Sequence, residues 1–312
     1  MSMPPSPVHT PSPPHGWIVL DKPFGLGSTQ AVGAVKRILR QAGFGKNKIG
    51  HGGTLDPLAS GVLPIALGEA TKLCGRMLDA SKAYDFTVAF GEETSTLDGE
   101  GEVVASSAVR PTPAEVHAVL PRFTGEIEQV PPAFSALKVD GKRAYDLARA
   151  GEAVLLKPRS VTIHSLVPAQ PIPDDGETLA DLTLSAAVSK GTYIRSLARD
   201  IAVALGTVGH VTMLRRTQAG PFALRQSIAL DFLEETAKAG RLTETVIPLE
   251  AGLDDIPALP VTPGQAVLLR HGQQLAGLPV APGLYLATDE CRPVALVEAS
   301  AGGLKVVRGF NI

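Results

Sequence analysis

The sequence has 312 residues, of which 44% are hydrophobic and 19% charged, and its 29 Lys and Arg against 31 Asp and Glu give a formal net charge of −2. That is enough chain for a large domain plus a small one with an ordinary core, and it excludes a highly charged disordered polymer. No apolar run approaches the ~18–20 residues of a membrane helix, and two distant cysteines, Cys74 and Cys291, make no disulfide framework, so a cytoplasmic protein with no membrane partner is expected.

Residues 1–15 are rich in proline and serine and lack the basic and apolar regions of a secretory leader, so they read as a disordered tail. Gly16–Leu20 reads as a short strand. Ser28-Thr29 then looks like a helix cap, followed by Val32, Val35, Ile38 and Leu39 at helical spacing, with Gly43 ending the element. A strand is expected near Tyr84–Phe90. Thr112-Pro-Ala-Glu115 is a capping box with proline at the first helical position, so a helix should run to about Arg122. Asp181–Ser189 alternates, with Leu182, Leu184, Ala186 and Val188 on one face, which predicts a half-buried strand. Tyr193–Leu205 has helical periodicity and Gly206 as its natural stop. Prolines and acidic residues thicken around 248–263, suggesting a boundary. Beyond it Thr262-Pro-Gly-Gln opens a short helix, and Leu284–Thr288, Pro293–Glu298 and Gly303–Arg308 read as strands. Strands and helices mix without regular βαβ alternation, so the class is α+β with a mixed, largely antiparallel sheet flanked by helices. The β-rich C-terminal module is small enough to need support from the main domain.

The near-neutral net charge hides local fields. Lys36, Arg37, Arg40, Lys46 and Lys48 fall within Val32–Gly50 without an acid, and six basic residues from Leu182 to Arg225 meet only Asp200. Phosphate binding responds to such local charge; two ordinary solvated faces are the other reading.

The most informative stretch is Lys48–Lys72, KIGHGGTLDPLASGVLPIALGEATK. It presents one acid, Asp56, on a turn made adaptable by Gly50, Gly52 and Gly53 and stiffened by Pro57, with the apolar Leu58–Leu67 to anchor it. A carboxylate on an anchored turn can be a nucleophile or a general base; an Asp closing an Asx-turn is the structural alternative. No histidines or cysteines show zinc-ligand spacing.

The segment Gly50-His-Gly-Gly-Thr-Leu-Asp-Pro-Leu-Ala-Ser-Gly-Val-Leu63 closely resembles the active-site signature of the TruB family, the tRNA pseudouridine-55 synthases. Further blocks of that family follow its order. They are Leu20–Gly25, Lys82–Tyr84 with Gly91–Asp98, Gln129–Lys138 with Gly141, Tyr145 and Ala148-Arg149, then Ser189–Arg195 and Val211–Gly220, with a fainter Arg308-Gly-Phe-Asn at the end. The first block departs from the family pattern at Gly27-Ser28, where Thr-Ser or Ser-Ser is usual.

The resemblance implies a pseudouridine synthase fold over 16–250, with an RNA-gripping insertion at about 124–152 and a PUA-like RNA-binding domain over 255–312. It implies Asp56 as the catalytic aspartate, Tyr84 stacked on a flipped uracil, Tyr193 near the base and Arg195 paired with the carboxylate. It also implies His51 at the flipped site and Leu214 packed in the pocket. Lys138, Lys142 and Arg143, together with Arg215 and Arg216, read as phosphate contacts, and Arg270, His271, Lys305 and Arg308 as contacts of the C-terminal module. The implied reaction isomerises the T-arm uridine of tRNA, by a monomer working without cofactor or guide RNA.

The chemistry fits these residue types. No atom leaves and no redox change occurs. Extracting the base costs a few kcal/mol of unstacking, which a tyrosine ring offsets by roughly 1–3 kcal/mol. A neighbouring guanidinium favours an ionised carboxylate. It also explains a cation at the start of a helix, where the dipole opposes it. A guide-RNA-dependent relative, an RNA chaperone and a glycoside hydrolase are the alternatives. The last would need a second carboxylate, for which Glu69 is the near candidate.

Overall fold

The computed structural model describes residues 14–135, 137–139, 141–151, 156–173 and 176–312. Most of the expected tail therefore lies outside the described residues.

The chain opens with β1 (Gly16–Lys22), α1 (Ser28–Gln41), β2 (Ile49–His51), β3 (Ala59–Leu67), α2 (Cys74–Asp79) and β4 (Lys82–Phe90). A hairpin of β5 (Glu92–Thr94) and β6 (Val103–Ser106) precedes α3 (Pro113–Val119) and β7 (Gly125–Gln129). The small pair β8 (Lys138–Val139) and β9 (Lys142–Arg143) leads to α4 (Ala144–Arg149). Next come β10 (Arg159–Pro168), β11 (Asp181–Val188), α5 (Ile194–Ala204), β12 (Gly209–Ala219), β13 (Phe222–Ala223), α6 (Leu230–Lys238) and β14 (Ile247–Pro248). The C-terminal part is β15 (Ala258–Pro260), α7 (Pro263–Arg270), β16 (Gly283–Asp289), β17 (Arg292–Ser300) and β18 (Gly303–Gly309).

The central sheet runs β14-β1-β3-β12-β4-β11-β10-β7, with β13 beside β12 and β2 beside β3. Its described pairings are antiparallel except β3 with β12. That parallel step matters for function. Register places Leu214 opposite Ala59, and Arg216 opposite both Gly61 and Tyr84. Leu214 and Arg216 of β12 and Tyr84 of β4 thus come together, with β3 packed close alongside. Gly61 has φ +101, and a Cβ there would overlap the Arg216 carbonyl, so the close approach of β3 to β12 requires glycine.

Alternation in β11 buries Leu182, Leu184, Ala186 and Val188 against α5 and α3. Helices α1 and α6 cover the β1–β3 side through Val35, Ile38, Leu39 and Leu233. Capping boxes at Thr112 and Thr262 start α3 and α7. The small sheet β15-β16-β17-β18 has its own core, including Leu269, Val294 and Leu304. It also leans on the large sheet, since Leu286, Leu296 and Phe310 join a cluster with Trp17 and Phe222.

Two local expectations are corrected. The N-cap of α1 is Gly27, and Ser28 is its first residue, buried and turned inward rather than capping. Tyr193 is the N-cap of α5, not its first turn, because its backbone is extended at φ −103, ψ 113.

Candidate active site

The loop between β2 and β3 is fixed residue by residue. Arg216 donates from Nη2 to Gly53 O (3.1 Å), from Nη1 to Thr54 O (3.2 Å) and from Nε to Val62 O (2.7 Å). Ser28 Oγ accepts from Leu55 N–H and donates to Leu55 O, both at 2.8 Å. Asp56 O accepts from Ala59 N–H (3.0 Å), and Pro57 O accepts from Gly25 N–H (2.9 Å) and Lys22 Nζ (3.3 Å). Gly53 takes φ +135, and a Cβ on Gly52 would press on Met77, which explains two of the loop's glycines. Side chains from β1, α1 and β12 therefore hold Asp56 on a frame with few degrees of freedom. Such a frame positions a reacting group.

The Asp56 side chain meets Arg195 at the start of α5. Arg195 Nε lies 3.0 Å from Asp56 Oδ2, and the two side chains are 7% and 38% exposed. The other edges of the guanidinium are occupied. Nη1 donates to Thr96 O (2.8 Å) and lies 3.4 Å from Asp98 Oδ2, and Nη2 donates to Phe134 O (3.0 Å). Asp98 is held in turn by Thr96 Oγ1 and Glu100 N–H at its Oδ1. A buried arginine with fixed acceptors on three sides keeps its remaining edge aimed at the carboxylate. The Asp56 side chain stays partly exposed at an opening beside this pair.

This opening is a cleft of about 940 Å³. Asp56 and Arg195 lie in it with Tyr84, Tyr193, Leu214 and Phe134 among its walls. Burial pushes the Tyr193 hydroxyl above its ordinary pKa. Two lysines are depressed to about 8, chiefly by burial: Lys22 behind the Asp56 loop and Lys82 in the cleft wall. Lys82 Nζ donates to Met77 O, Leu78 O and Ala80 O, which closes the end of α2. Glu100 is raised by burial and by the charges of Asp98 and Asp56. Among the described residues no cluster of three or more His, Cys, Asp and Glu suits a metal ion.

Residues 36–194 match the family model described as TruB family pseudouridylate synthase (N terminal domain), and 195–254 match the tRNA pseudouridylate synthase B C-terminal domain. A tRNA pseudouridine synthase B of Novosphingobium aromaticivorans is 64% identical, over 95% of this chain and 97% of that one. The chain belongs to the TruB family. A protein of the same name from Zymomonas mobilis is 57% identical, covering 97% of this chain and 99% of its own. Among solved structures, a chain of an H/ACA RNP bound to a substrate RNA containing 2'-deoxyuridine superposes with TM-score 0.71 at 25% identity, covering 96% of this chain and 86% of that one. A chain of a Cbf5-Nop10-Gar1 complex gives 0.69 at 28% identity, over 95% and 84%. As a TruB pseudouridine synthase the protein is an isomerase.

Of the TruB residues expected at the site, the structure gathers Asp56, Tyr84, Tyr193, Arg195, Leu214 and Arg216 around the cleft. His51 is half-buried at the outer end of the loop, where its Nδ1 accepts from Gly53 N–H (3.4 Å), and it is not part of the wall. Burial, with Arg216 next, lowers its pKa. Lys138 sits on β8, with its side chain outside the described part, as is that of Arg143.

The reading of Arg216 as a surface phosphate contact is corrected. Alternation along β12 turns Arg216 inward, where it is 1% exposed and its donors serve three carbonyls. Arg215 faces the other way and forms a two-pronged pair with Asp21 (3.2 and 2.8 Å). Glu69 binds Lys72 (2.6 Å) and Asn311 N–H (2.9 Å) and does not line the cleft.

Sequence reasoning passed over Lys22, Ser28, Lys82, Asp98 and Gln129 as site-building residues. All but Ser28 stand within or at the edge of the blocks that carry the resemblance, and Ser28 adjoins the point of departure, so block membership was the available clue.

Proposed function

We propose that this TruB protein converts the T-arm uridine of tRNA, position 55, to pseudouridine without a guide RNA. The observation that carries the reading is a carboxylate, Asp56, paired with a buried arginine at 3.0 Å while still 38% exposed to an aromatic-walled cleft. A flipped base needs that combination: a ring to stack on and an ionised oxygen beside the glycosidic bond.

In the reaction the N1–C1′ bond breaks, the uracil turns in place, and C5 bonds to C1′. The proton on C5 is lost and N1 gains one, so the balance closes without a cofactor. Asp56 drives the cleavage by attack on the uracil ring, by attack on C1′, or by removal of the C2′ proton; each route needs a carboxylate exposed at the cleft. Tyr84 stacks on the base, Leu214 and Tyr193 confine it, and Arg195 holds the aim of Asp56. His51 contacts the RNA at the flipped site, and Lys138 contacts phosphate.

Residues 16–250 form the catalytic domain, with the RNA-gripping insertion at about 124–152. Residues 255–312 form a PUA-like domain that touches tRNA through the exposed Lys305 and Arg308. The enzyme acts as a monomer in the cytoplasm. The test is incubation with unmodified tRNA and mapping of pseudouridine. Modification at one T-arm uridine is expected, whereas free uracil as product, or modification only when a guide RNA is added, would overturn the proposal.

A further inference from the structure

The root of the insertion is strapped to the start of α5. Gln129, the last residue of β7, is fully buried. Its Nε2 donates to Tyr193 O (3.1 Å), and its Oε1 accepts from Tyr193 N–H (2.8 Å). One side-chain amide thus engages both polar groups of a single residue, as a neighbouring strand would. Close by, Ser196 Oγ donates to Val130 O (2.8 Å), Arg199 Nη2 donates to the same carbonyl (3.1 Å), and Arg195 Nη2 donates to Phe134 O (3.0 Å).

The two bonds made by Gln129 are not equivalent. Tyr193 O also accepts from Leu197 N–H (3.0 Å), the first rung of α5, and keeps a partner without Gln129. Tyr193 N–H precedes the helical ladder and has the Gln129 oxygen as its acceptor. That bond fixes the extended backbone from which the Tyr193 ring enters the cleft, two residues before Arg195.

We propose that Gln129 is a positioning residue for the isomerisation: its side-chain amide sets the backbone of Tyr193, and through it the ring of Tyr193 and the aim of Arg195 at Asp56. The inference rests on the proposed reaction and concerns the chemical step rather than tRNA capture. Gln129 lies beneath the cleft and touches no substrate. An isosteric side chain without hydrogen bonds leaves Tyr193 N–H free to swing, and sub-ångström to 1 Å misplacement of such groups costs up to about 100-fold in rate.

The experiment compares single-turnover pseudouridine formation, tRNA affinity and melting temperature for the full chain, Gln129→Met and Ser196→Ala. Ser196→Ala cuts a neighbouring strap of similar burial that does not hold Tyr193. Gln129→Met should lower the single-turnover rate about 10- to 100-fold with tRNA affinity within about threefold. Ser196→Ala should stay within about twofold in rate whatever its melting temperature. Gln129→Glu, which keeps an acceptor for Tyr193 N–H, should fall between Gln129→Met and the parent, and it replaces Gln129→Met if that variant does not fold. Rates that track melting temperature equally in the Gln129 and Ser196 variants would overturn the proposal, as would a Gln129→Met rate equal to the parent's. An unmodified product with the parent protein itself would instead overturn the proposed function.

Discussion

Arg195 Nε sits 3.0 Å from Asp56 Oδ2 while Arg195 Nη1 lies 3.4 Å from Asp98 Oδ2, so one buried guanidinium spans two carboxylates. Only the Asp56 side chain reaches substantially into the cleft, at 38% exposed against 10% for Asp98. Asp98 thus balances the arginine's charge from behind while Asp56 faces the opening. A compact ammonium cannot reproduce this fork. Arg195→Lys is expected to lower the single-turnover rate at least 100-fold and to reduce the melting temperature, because Thr96 O and Phe134 O lose their donors. A rate within threefold of the parent would show that the fork is dispensable.

Ser28 makes a second, quieter demand. Leu55 is 3% exposed, and its N–H and C=O both bond Ser28 Oγ. Ser28→Ala leaves that buried N–H without an acceptor, at a cost of about 1–3 kcal/mol. The expected result is a lower denaturation midpoint and a turnover reduced about tenfold, with tRNA affinity unchanged. Equal losses in turnover and affinity would mean that the hydroxyl serves the fold alone.

Lys22 supplies a pH test. Its pKa in the folded protein is lowered from 10.5 to about 8, mainly by burial, partly opposed by Asp56. Below about pH 8 both folded and unfolded chains hold this proton, and the full penalty of burying the charge applies. Between about pH 8 and 10.5 the folded chain gives the proton up while the unfolded chain keeps it, so this lysine's contribution to stability improves as pH rises. The denaturant midpoint of the parent, measured from pH 7 to 10, should therefore rise relative to that of Lys22→Met. A constant difference would place the Lys22 pKa near its ordinary value.

Much of this architecture was legible because it follows from local rules. The alternation of Asp181–Val188 and the capping box at Thr112 each dictate one element whatever surrounds them. Asp56 was legible from its glycine-proline setting together with the family blocks. The roles of Ser28 and Arg216 were not. A serine ahead of a helical pattern looks like a cap, and only the arrival of Leu55 from a distant segment shows why it points inward. Consecutive arginines look like a basic patch until the strand's alternation sends one into the core and the other to Asp21. Lys22 and Lys82 likewise take their meaning from carbonyls that tertiary folding brings to them.

Tyr84 stands opposite Arg216 and Ala186 on the strands beside it, half-buried, with its ring in the cleft wall. If the ring stacks on the flipped base, removing it loses roughly 1–3 kcal/mol of stacking at the reacting nucleotide while contacts along the RNA backbone persist. Tyr84→Ala should therefore reduce turnover by 10-fold or more with affinity changed less than threefold, and Tyr84→Phe should keep most of both. Near-normal turnover in Tyr84→Ala would remove this residue from the site.

The remaining cationic surface decides how tRNA is held. Arg216 is internal with its donors engaged, so it is not available to a phosphate, and Arg215 is partly exposed beside Asp21. Lys36, Arg37 and Arg40, by contrast, are exposed along α1, whose first turn lines the cleft rim through Ser28, Thr29 and Gln30. Each phosphate contact contributes about −0.7 to −0.9 to the slope of log affinity against log salt. Affinity for tRNA should fall steeply between low and physiological salt, and Lys36→Glu with Arg40→Glu should make that slope shallower by about 1.5. Arg216→Met should destabilise the fold instead, leaving the salt slope of the folded fraction unchanged. A flat salt response in the parent, or an unaltered slope in the double variant, would move the RNA path away from α1.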